Sequence, residues 1–474
     1  MGIANVFNTG YSGLAATRAG IATTGHNISN AGTEGFSRQR IVTESVDAGT
    51  TGKNPIAVGR GTRVTRVERI NDEYLEKQIR NGQRELAHHE EKEMGLRQIE
   101  DIFNEMNGDG VNRLVTKFFN DFRKLSNEPE SRAMREALRE SSQAMSNNFK
   151  SIRGQVEDVR KHMDARVDGY VGEVNQLANQ VAELNKKIRL SEPVGGTPND
   201  LLDKRDIALK KLASLMDITT QKDNHGGISI DIKGAGSLLS EDIVRPLSVE
   251  RSPADDQGKA DGALTIRAEG SAVGSITHQI RGGKIGAVIE TRDKTITGIV
   301  SRLDDMAFSM INSVNDIHSQ GVTTDGATSI NFFKPVNGRE NAAEYISLSD
   351  EVLSNVNNII TAREPDSPGD NRVAVAISKL QDEKILGDGH STVDEWYNSI
   401  VSDVGVASSK NKFALNQQKD IMTQMGKMRE QVSGVSVDEE SANLMQFQHA
   451  FEASAKVIQV ADEMLKTVLS LKRD

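Results

Sequence analysis

Two amphipathic stripes, one at each end of the chain, limit what it can fold into. Near the N-terminus Phe7, Leu14, Ile21 and Ile28 recur every seven residues. Near the C-terminus Leu444, Phe447, Phe451, Ser454, Ile458, Ala461, Leu465 and Val468 follow in steps of three and four. Such spacing lines up one helical face, as in the a/d seam of a coiled coil. Neither stripe can bury itself on its own helix, and a lone helix is marginal in water. Each stripe therefore meets the other within the chain, or meets a neighbouring copy. Gln446, Gln448 and Lys456 lie outside the seam, where they are solvated or reach a neighbour.

Length, charge and cysteine content narrow the function classes. A prior of about 150 residues per domain suggests about three domains in a chain of 474 residues. The net charge of −10 is the wrong sign for a nucleic-acid binder. With no cysteine, disulfides, thiolate metal sites and Cys nucleophiles are excluded. No apolar run approaches the length of about 18 residues that a membrane-spanning helix needs. The start, MGIANVFNTGYSGL, has neither a basic region nor a continuous apolar run, so no cleaved secretory leader is expected. Aromatic residues make up only 4%, which suits long helices packed through aliphatic side chains better than a large apolar ligand pocket.

Along the chain the texture alternates. Residues 1–30 read as one helix, closed by Asn27, Asn30, Gly32 and Gly35. Residues 36–70, rich in Thr, Gly and Val, predict short strands or a hairpin. Helix dominates from 71 to 190. Its clearest stripe runs Phe149, Ile152, Val156, Val159, Met163, Val167, Tyr170, Val174, Leu177, Val181, Leu184, Ile188, which predicts a long bundle helix. A Pro/Gly loop at 191–199 and a helix at 200–215 follow. Residues 217–282 turn Gly-rich and alternating, which predicts a small inserted β domain. Helix returns at 283–318, residues 319–370 are loop-rich with weak strands near 344–349 and 357–362, and 371–383 and 391–432 are helical again. A break at 434–437 precedes the terminal helix.

Catalytic signatures are missing from this pattern. His88-His89-Glu90-Glu91 resembles a zincin only superficially, because position 93 is Glu where a second His is required; a solvated helix face is the expectation. Asn107-Gly108-Asp109-Gly110 lacks the closing Glu of a calcium loop, with Glu105 first and Thr116 last, and predicts a turn. Gly59-Arg60-Gly61 lacks the third glycine of a dinucleotide fingerprint. Asn27-Ile28-Ser29 matches a glycosylation sequon of the kind chance supplies. Asp316 and His318 stand two apart and cannot face each other on a helix. His318 is expected at a helix end, as a cation suited to the macrodipole. No catalytic residue, metal site or cofactor is expected.

The motifs that stand out are structural. Residues 26–38, HNISNAGTEGFSR, resemble the signature of the axial proteins of the bacterial flagellum, through Asn27, Asn30, Thr33, Gly35 and Phe36. Ser436-Val437-Asp438-Glu439-Glu440 and the helix after it are similar to that family's terminal helix, with Ser436 and Glu439 spaced as a capping box. Within the family, the stretch from Asn199 to Asp206 (NDLLDKRD) resembles the hook-associated members. So do Gly282-Gly283-Lys284-Ile285-Gly286, Arg292-Asp293, Asn315 to His318 and Thr392 to Gly405. The likeness is weak over 217–280 and 319–370.

The resemblance implies a structural protein and no enzyme. It implies an extracellular place in the flagellum, reached through the flagellar type III apparatus without leader cleavage. The implied partners are identical copies in a ring, the hook protein, a second hook–filament junction protein and an export chaperone. The expected architecture is mainly α with an inserted β domain: a long helical bundle plus terminal coiled-coil helices, built from discontinuous domains. Residues 1–40 and 434–474 form the terminal part, disordered in the monomer; 41–216 and 283–433 form the helical core; 217–282 form the β domain. The assembly interface is expected at Phe7, Leu14, Ile21, Asn27, Ile28, Asn30, Gly35, Phe36, Leu444, Phe447, Phe451, Ile458, Leu465 and Val468. A rod or hook protein, a cytosolic coiled-coil scaffold and an enzyme are the rival readings.

Overall fold

The computed structural model of the chain describes residues 3–46, 59–103, 110–191, 198–223, 226–251, 264–270, 274–367 and 369–470. The turn expected at 107–110 and the loop at 191–199 fall almost wholly outside the described residues. Among the described residues the order begins α1 (Ile3–Ser29), β1 (Gln39–Ser45), β2 (Thr62–Arg69), α2 (Glu73–Phe103), α3 (Val111–Asn127), α4 (Arg132–Ser191) and α5 (Asn199–Leu215). Six strands follow: β3 (Ile218–Lys222), β4 (Ile228–Ile232), β5 (Gly236–Ser240), β6 (Ile243–Val244), β7 (Leu247–Arg251) and β8 (Leu264–Ala268). The remainder is α6 (Gly283–Glu290), α7 (Thr297–His318), α8 (Ala342–Tyr345), α9 (Asp350–Ser354), α10 (Arg372–Lys379), α11 (Val393–Ser433) and α12 (Val437–Ser470). This is the mainly helical fold with a small inserted sheet region that the sequence predicts. No helix among the described residues is long and apolar enough to cross a membrane.

Two compact units share the chain. The first gathers Met1–Ala87, Val171–Gly283 and Gln417–Asp474, and the second His88–Tyr170 and Lys284–Asn416. The α4 stripe from Phe149 to Ile188 is buried along its length, apart from half-buried Tyr170.

In the first unit, β3 to β6 form an antiparallel meander and β7 pairs with β8. Alternation puts Ile228, Ile230 and Ile232 of β4 on the buried face. β1 and β2 form a separate antiparallel ribbon with a bulge at Val42/Thr43. Asparagines on α4 read the backbone of the inserted strands. The Asn185 amide donates to the Ile228 carbonyl at 2.9 Å, and its oxygen accepts from the Ile228 N–H at 3.2 Å. Asn175 makes the same two bonds with Leu247, both at 2.8 Å. Each amide acts as a strand fragment and satisfies an edge that would otherwise be orphaned.

In the second unit the few aromatic residues concentrate in one cluster. Phe118 lies 5.1 Å from both Phe119 and Phe122, and Phe332 lies 4.9 Å from Phe333, mostly edge to face. Asn315 on α7 holds this loop by the same two-way amide pairing, to the Phe333 N–H (2.8 Å) and carbonyl (3.0 Å). A π-helical turn at Thr291–Ile296 separates α6 from α7 and sets buried Arg292 against Asp164 at 2.9 Å. In 319–370 the β structure consists of single bridges, such as Phe333 with Leu348 and Val322 with Ala362, between short helices.

Two local expectations are corrected here. His318 does close α7, but not as a cation: it is completely buried, its Nδ1 faces the Ile330 carbonyl (2.8 Å), and its Nε2 accepts from the Ile360 N–H (2.9 Å). Burial pulls its pKa down to about 4. The His88–Glu91 segment is no solvated face either. His88 meets Glu290 at 3.3 Å, and Glu91 is buried against Arg166 (2.6 Å) and the Tyr170 hydroxyl (2.7 Å). His88 and Lys92 hold the Glu290 carboxyl down to about 2, despite its partial burial. The run of charges hid the burial because His88 and Glu91 find their partners on other elements, while Glu90 between them stays exposed.

Candidate assembly site: the terminal helix pair and its polar collar

α1 packs antiparallel on α12 of the same chain, inside the first unit. Small residues make the close approach possible. Gly10, Ala16, Gly20, Thr24 and Asn27 are the buried positions of α1. A Cβ on Gly10 would sit 2.7 Å from Ile458, one on Gly13 2.9 Å from Ser454, and one on Gly20 2.7 Å from the Phe447 ring. The α12 face is the heptad set itself: Leu444, Phe447, Phe451, Ser454 and Ile458 are half-buried and Ala461 is buried. Large side chains on α12 thus enter notches on α1. Beyond Ala461 every described α12 residue is exposed, Leu465 and Val468 included, at 46% and 53%.

A polar collar closes the pair where α1 ends. Buried Asn27 donates to the Gln39 carbonyl (2.8 Å) and to Glu440 Oε2 (3.0 Å), and accepts from the Gln39 N–H (3.0 Å). Arg38 bonds both Glu440 (2.7 Å) and Glu439 (2.9 Å). The Ser436 hydroxyl accepts from the Glu439 N–H at 3.4 Å, while the Glu439 carboxylate turns to Arg38; only half of the expected capping box forms. Asn30 ends α1 through its amide on the His26 carbonyl (3.0 Å). Gly35 then takes φ +79°, and a Cβ there would meet Ile207 of α5 at 2.6 Å. Phe36 stacks edge-on against His26 at 5.4 Å.

The 199–206 motif is the anchor of this turn. Asn199 donates to the Val67 carbonyl at 2.9 Å. Asp200 accepts from Gln39 at 3.1 Å, Asp203 accepts from the Ser37 N–H at 3.1 Å, and both Asp203 (2.9 Å) and Asp206 (2.6 Å) hold Arg69. Burial pushes the Asp203 carboxyl above its usual range, against the pull of Arg69 and the Ser37 N–H. Nearby, burial would raise the Glu76 carboxyl, but Lys210 and Arg429 together hold it below its usual range. Arg429 also donates to the Gly35 carbonyl at 3.2 Å. Two motifs that lie far apart in sequence are therefore one structure.

The expected interface residues fall into three places. Leu444, Phe447, Phe451 and Ile458 face α1, and Asn27, Asn30, Gly35 and Phe36 form the collar. Phe7 is exposed (45%), Leu14, Ile21 and Ile28 are half-buried, and Leu465 and Val468 extend past the pair. Gln446, Gln448 and Lys456 are exposed. The glycine seam of α1 and the Arg38–Glu440 pair escape a search for apolar periodicity. Gly10, Gly13, Ala16 and Gly20, spaced by three and four, are the signal that a search for small residues would have caught. Because Asn27 is buried in the collar, its sequon match has a structural explanation. Among the described residues no cluster of potential metal ligands occurs.

Terminal helices paired with each other are what the resemblance to axial proteins of the bacterial flagellum implies, and the comparisons show that class and which kind. Residues 96–333 match the model of the flagellar hook-associated protein FlgK helical domain, and 430–471 match that of the flagellar basal body rod FlgEFG protein C-terminal region. The chain belongs to the FlgK family of flagellar hook-associated proteins. It is similar to flagellar hook-associated protein 1 of Bacillus subtilis, at 29% identity over 96% of both chains. It is also similar to flagellar hook-associated protein 1 of Salmonella typhimurium, at 23% identity over 99% of this chain and 100% of that one. The solved structure of the flagellar hook junction protein FlgK from Burkholderia pseudomallei shares its fold, with a TM-score of 0.65 at 15% identity, covering 75% of this chain and 100% of that one. Membership makes this chain a structural component of the flagellum, outside the cell.

Proposed function

We propose that the chain joins hook to filament by polymerising into a ring through its terminal helices, and that it is no enzyme. One observation carries the reading. Past Ala461, α12 turns Met464, Leu465, Val468 and Leu469 to solvent, and α1 adds exposed Phe7 and Tyr11. An apolar stripe of this kind on a water-soluble chain marks an unfilled interface. Burying each large side chain contributes about 1.5–3 kcal/mol, enough in sum to offset the ordering of the ends on assembly.

In this reading Phe7, Leu14, Ile21, Ile28, Leu465 and Val468 meet neighbouring copies. Leu444, Phe447, Phe451, Ile458, Asn27, Asn30, Gly35 and Phe36 shape the pair that presents them. Residues 1–40 and 434–474 act as the assembly part, ordered fully only in the polymer, with 41–216 and 283–433 as the helical core and 217–282 as the β insert. The hook protein and a second junction protein are the neighbours along the axis. An export chaperone covers the apolar ends before passage through the flagellar type III apparatus, with no leader cleaved.

The test is complementation of a deletion strain. The wild-type gene should restore stable filaments. The Leu465→Asp/Val468→Asp variant should be exported yet leave hooks bare, with filament subunits shed into the medium. Stable filaments on cells carrying that variant, or on the deletion strain itself, would overturn the proposal.

A further inference from the structure

A cavity of about 470 Å³ opens within the first unit, walled by α2, α5 and the β3–β4 hairpin. Cations outnumber carboxylates on its wall, and every carboxylate there is already engaged. Glu73 holds Lys222, and Glu76 holds Lys210 and Arg429. Asp206 holds Arg69, and Asp217 holds Arg84 and Lys233. Lys77, Arg80 and Arg205 line the same cavity with no carboxylate in contact ion-pair distance among the described residues, although Glu73 acts on Arg80 and Asp206 on Arg205 through space.

Lys77 and Arg80 stand one turn apart on α2, a spacing that puts both heads on one side of the helix. Arg205 comes from α5 and is only 3% exposed. One of its terminal nitrogens donates to Asn185 Oδ1 (3.1 Å) and the Gly226 carbonyl (2.6 Å), and its buried Nε has no acceptor. A guanidinium hydrogen-bonded by neutral groups alone recovers its desolvation cost only in part, here from the through-space pull of Asp206 and Asp223. Arg69, on the same wall, adds like charge. Burial accordingly pulls the Arg205 pKa down to about 10.

We propose that this cavity binds a small multivalent oxyanion, a phosphate or a polycarboxylate, held by Lys77, Arg80 and Arg205. Planar guanidinium forks match the geometry of both groups. The volume lies in the range of small-ligand sites, roughly 300–1,000 Å³, and is far too small for a folded partner. A bound anion would tie α2, α5 and the hairpin together and so stiffen the support beneath the collar.

Isothermal titration calorimetry on the full chain, with inorganic phosphate and separately with citrate at ionic strength fixed by sodium chloride, tests this. Saturable binding with one site is expected for at least one of the two anions, and which one saturates separates phosphate from carboxylate chemistry. The Lys77→Ala/Arg80→Ala variant should bind about tenfold or more weakly, in line with the loss of charge-assisted bonds. Lys466→Ala, on distant α12, should bind as the wild type does. A circular dichroism spectrum checks that the double variant folds; if it does not, exposed Lys77→Glu alone must weaken binding. Absence of saturation by either anion at millimolar concentration, or equal affinity in the folded variants, would overturn the proposal.

Discussion

Asn27 of α1 and Glu440 of α12 stand 413 positions apart, yet the Asn27 amide donates to the Glu440 carboxylate at 3.0 Å in a buried site. The same amide pairs in both directions with the backbone of Gln39. One side chain therefore fixes three things: where α1 stops, how the chain leaves it, and which turn of α12 it meets. Asn175, Asn185 and Asn315 pair with strand or loop backbone in the same way. A helix-borne asparagine that reads an extended segment is a recurrent device of this chain.

Asn27→Ala removes this device. It strips the Gln39 N–H and carbonyl of partners and leaves Glu440 to Arg38 alone. Orphaned buried groups cost about 1–3 kcal/mol each, partly offset by water entering the collar, so we expect the pair to loosen by about 2–3 kcal/mol. Amide exchange should read this as protection in α1 and α12 falling by about 30- to 150-fold. Unchanged protection would mean that the glycine seam alone holds the pair.

Two glycines of α1 give opposite predictions for the same substitution. A Cβ at Gly20 meets Phe447 ring atoms at 2.7–2.8 Å, whereas at Gly25 nothing lies within 4 Å. Alanine at either site gains helix propensity worth about 1 kcal/mol, but overpacking at Gly20 costs about 1–3 kcal/mol. Gly25→Ala should raise the melting temperature and Gly20→Ala should lower it. Phe447→Leu, combined with Gly20→Ala, should recover part of the loss.

Periodicity made the long elements legible. The apolar steps of α4, the heptads of α12 and the alternation of β4 each encode burial directly, and they gave the mainly helical fold with its insert. What stayed hidden was carried by other signals. The α1 seam is built from absence of bulk, at Gly10, Gly13 and Gly20, while the apolar stripe at Phe7, Leu14, Ile21 and Ile28 draws the eye to another face. The collar joins Asn27, Arg38, Asp203 and Glu440 across hundreds of residues, which no local spacing can announce. His88 and Glu91 read as solvent-facing because charge is a good sign of exposure until a partner on another element cancels it, and His318 reads as a cation because its backbone partners at Ile330 and Ile360 lie in a distant loop.

Asn315→Asp tests the two-way amide on a site remote from the terminal helices. The aspartate can still accept from the Phe333 N–H, but its second oxygen faces the Phe333 carbonyl, where the amide donates at 3.0 Å. Replacing a buried hydrogen bond by oxygen–oxygen repulsion should destabilise the second unit by about 2–4 kcal/mol. Urea denaturation at neutral pH, followed by fluorescence of the single tryptophan Trp396 in that unit, provides the measurement. A shift of the midpoint smaller than that of Asn315→Ala would show that the amide donor contributes little.

His318 makes stability depend on pH, with a sign fixed by its depressed pKa. The neutral ring is required in the fold, since Nε2 must accept from the Ile360 N–H and no anion offsets a charge there. Burial holds its pKa at about 4 in the fold, against 6.5 for a free imidazole, so between these limits the unfolded chain binds the extra proton. Stability contributed by the neutral ring is therefore complete above pH 6.5 and is lost as the pH falls towards 4. The full loss is on the order of 3 kcal/mol at about 1.4 kcal/mol per pH unit. Carboxylates titrate in the same window, so the measurement is a difference: denaturation of the wild type and of His318→Gln at pH 7 and at pH 4.5. Glutamine can donate to the Ile330 carbonyl and accept from the Ile360 N–H without titrating. The wild type should lose more stability than the variant on acidification, and parallel losses would show that His318 takes up its proton as readily in the folded chain as in the unfolded one.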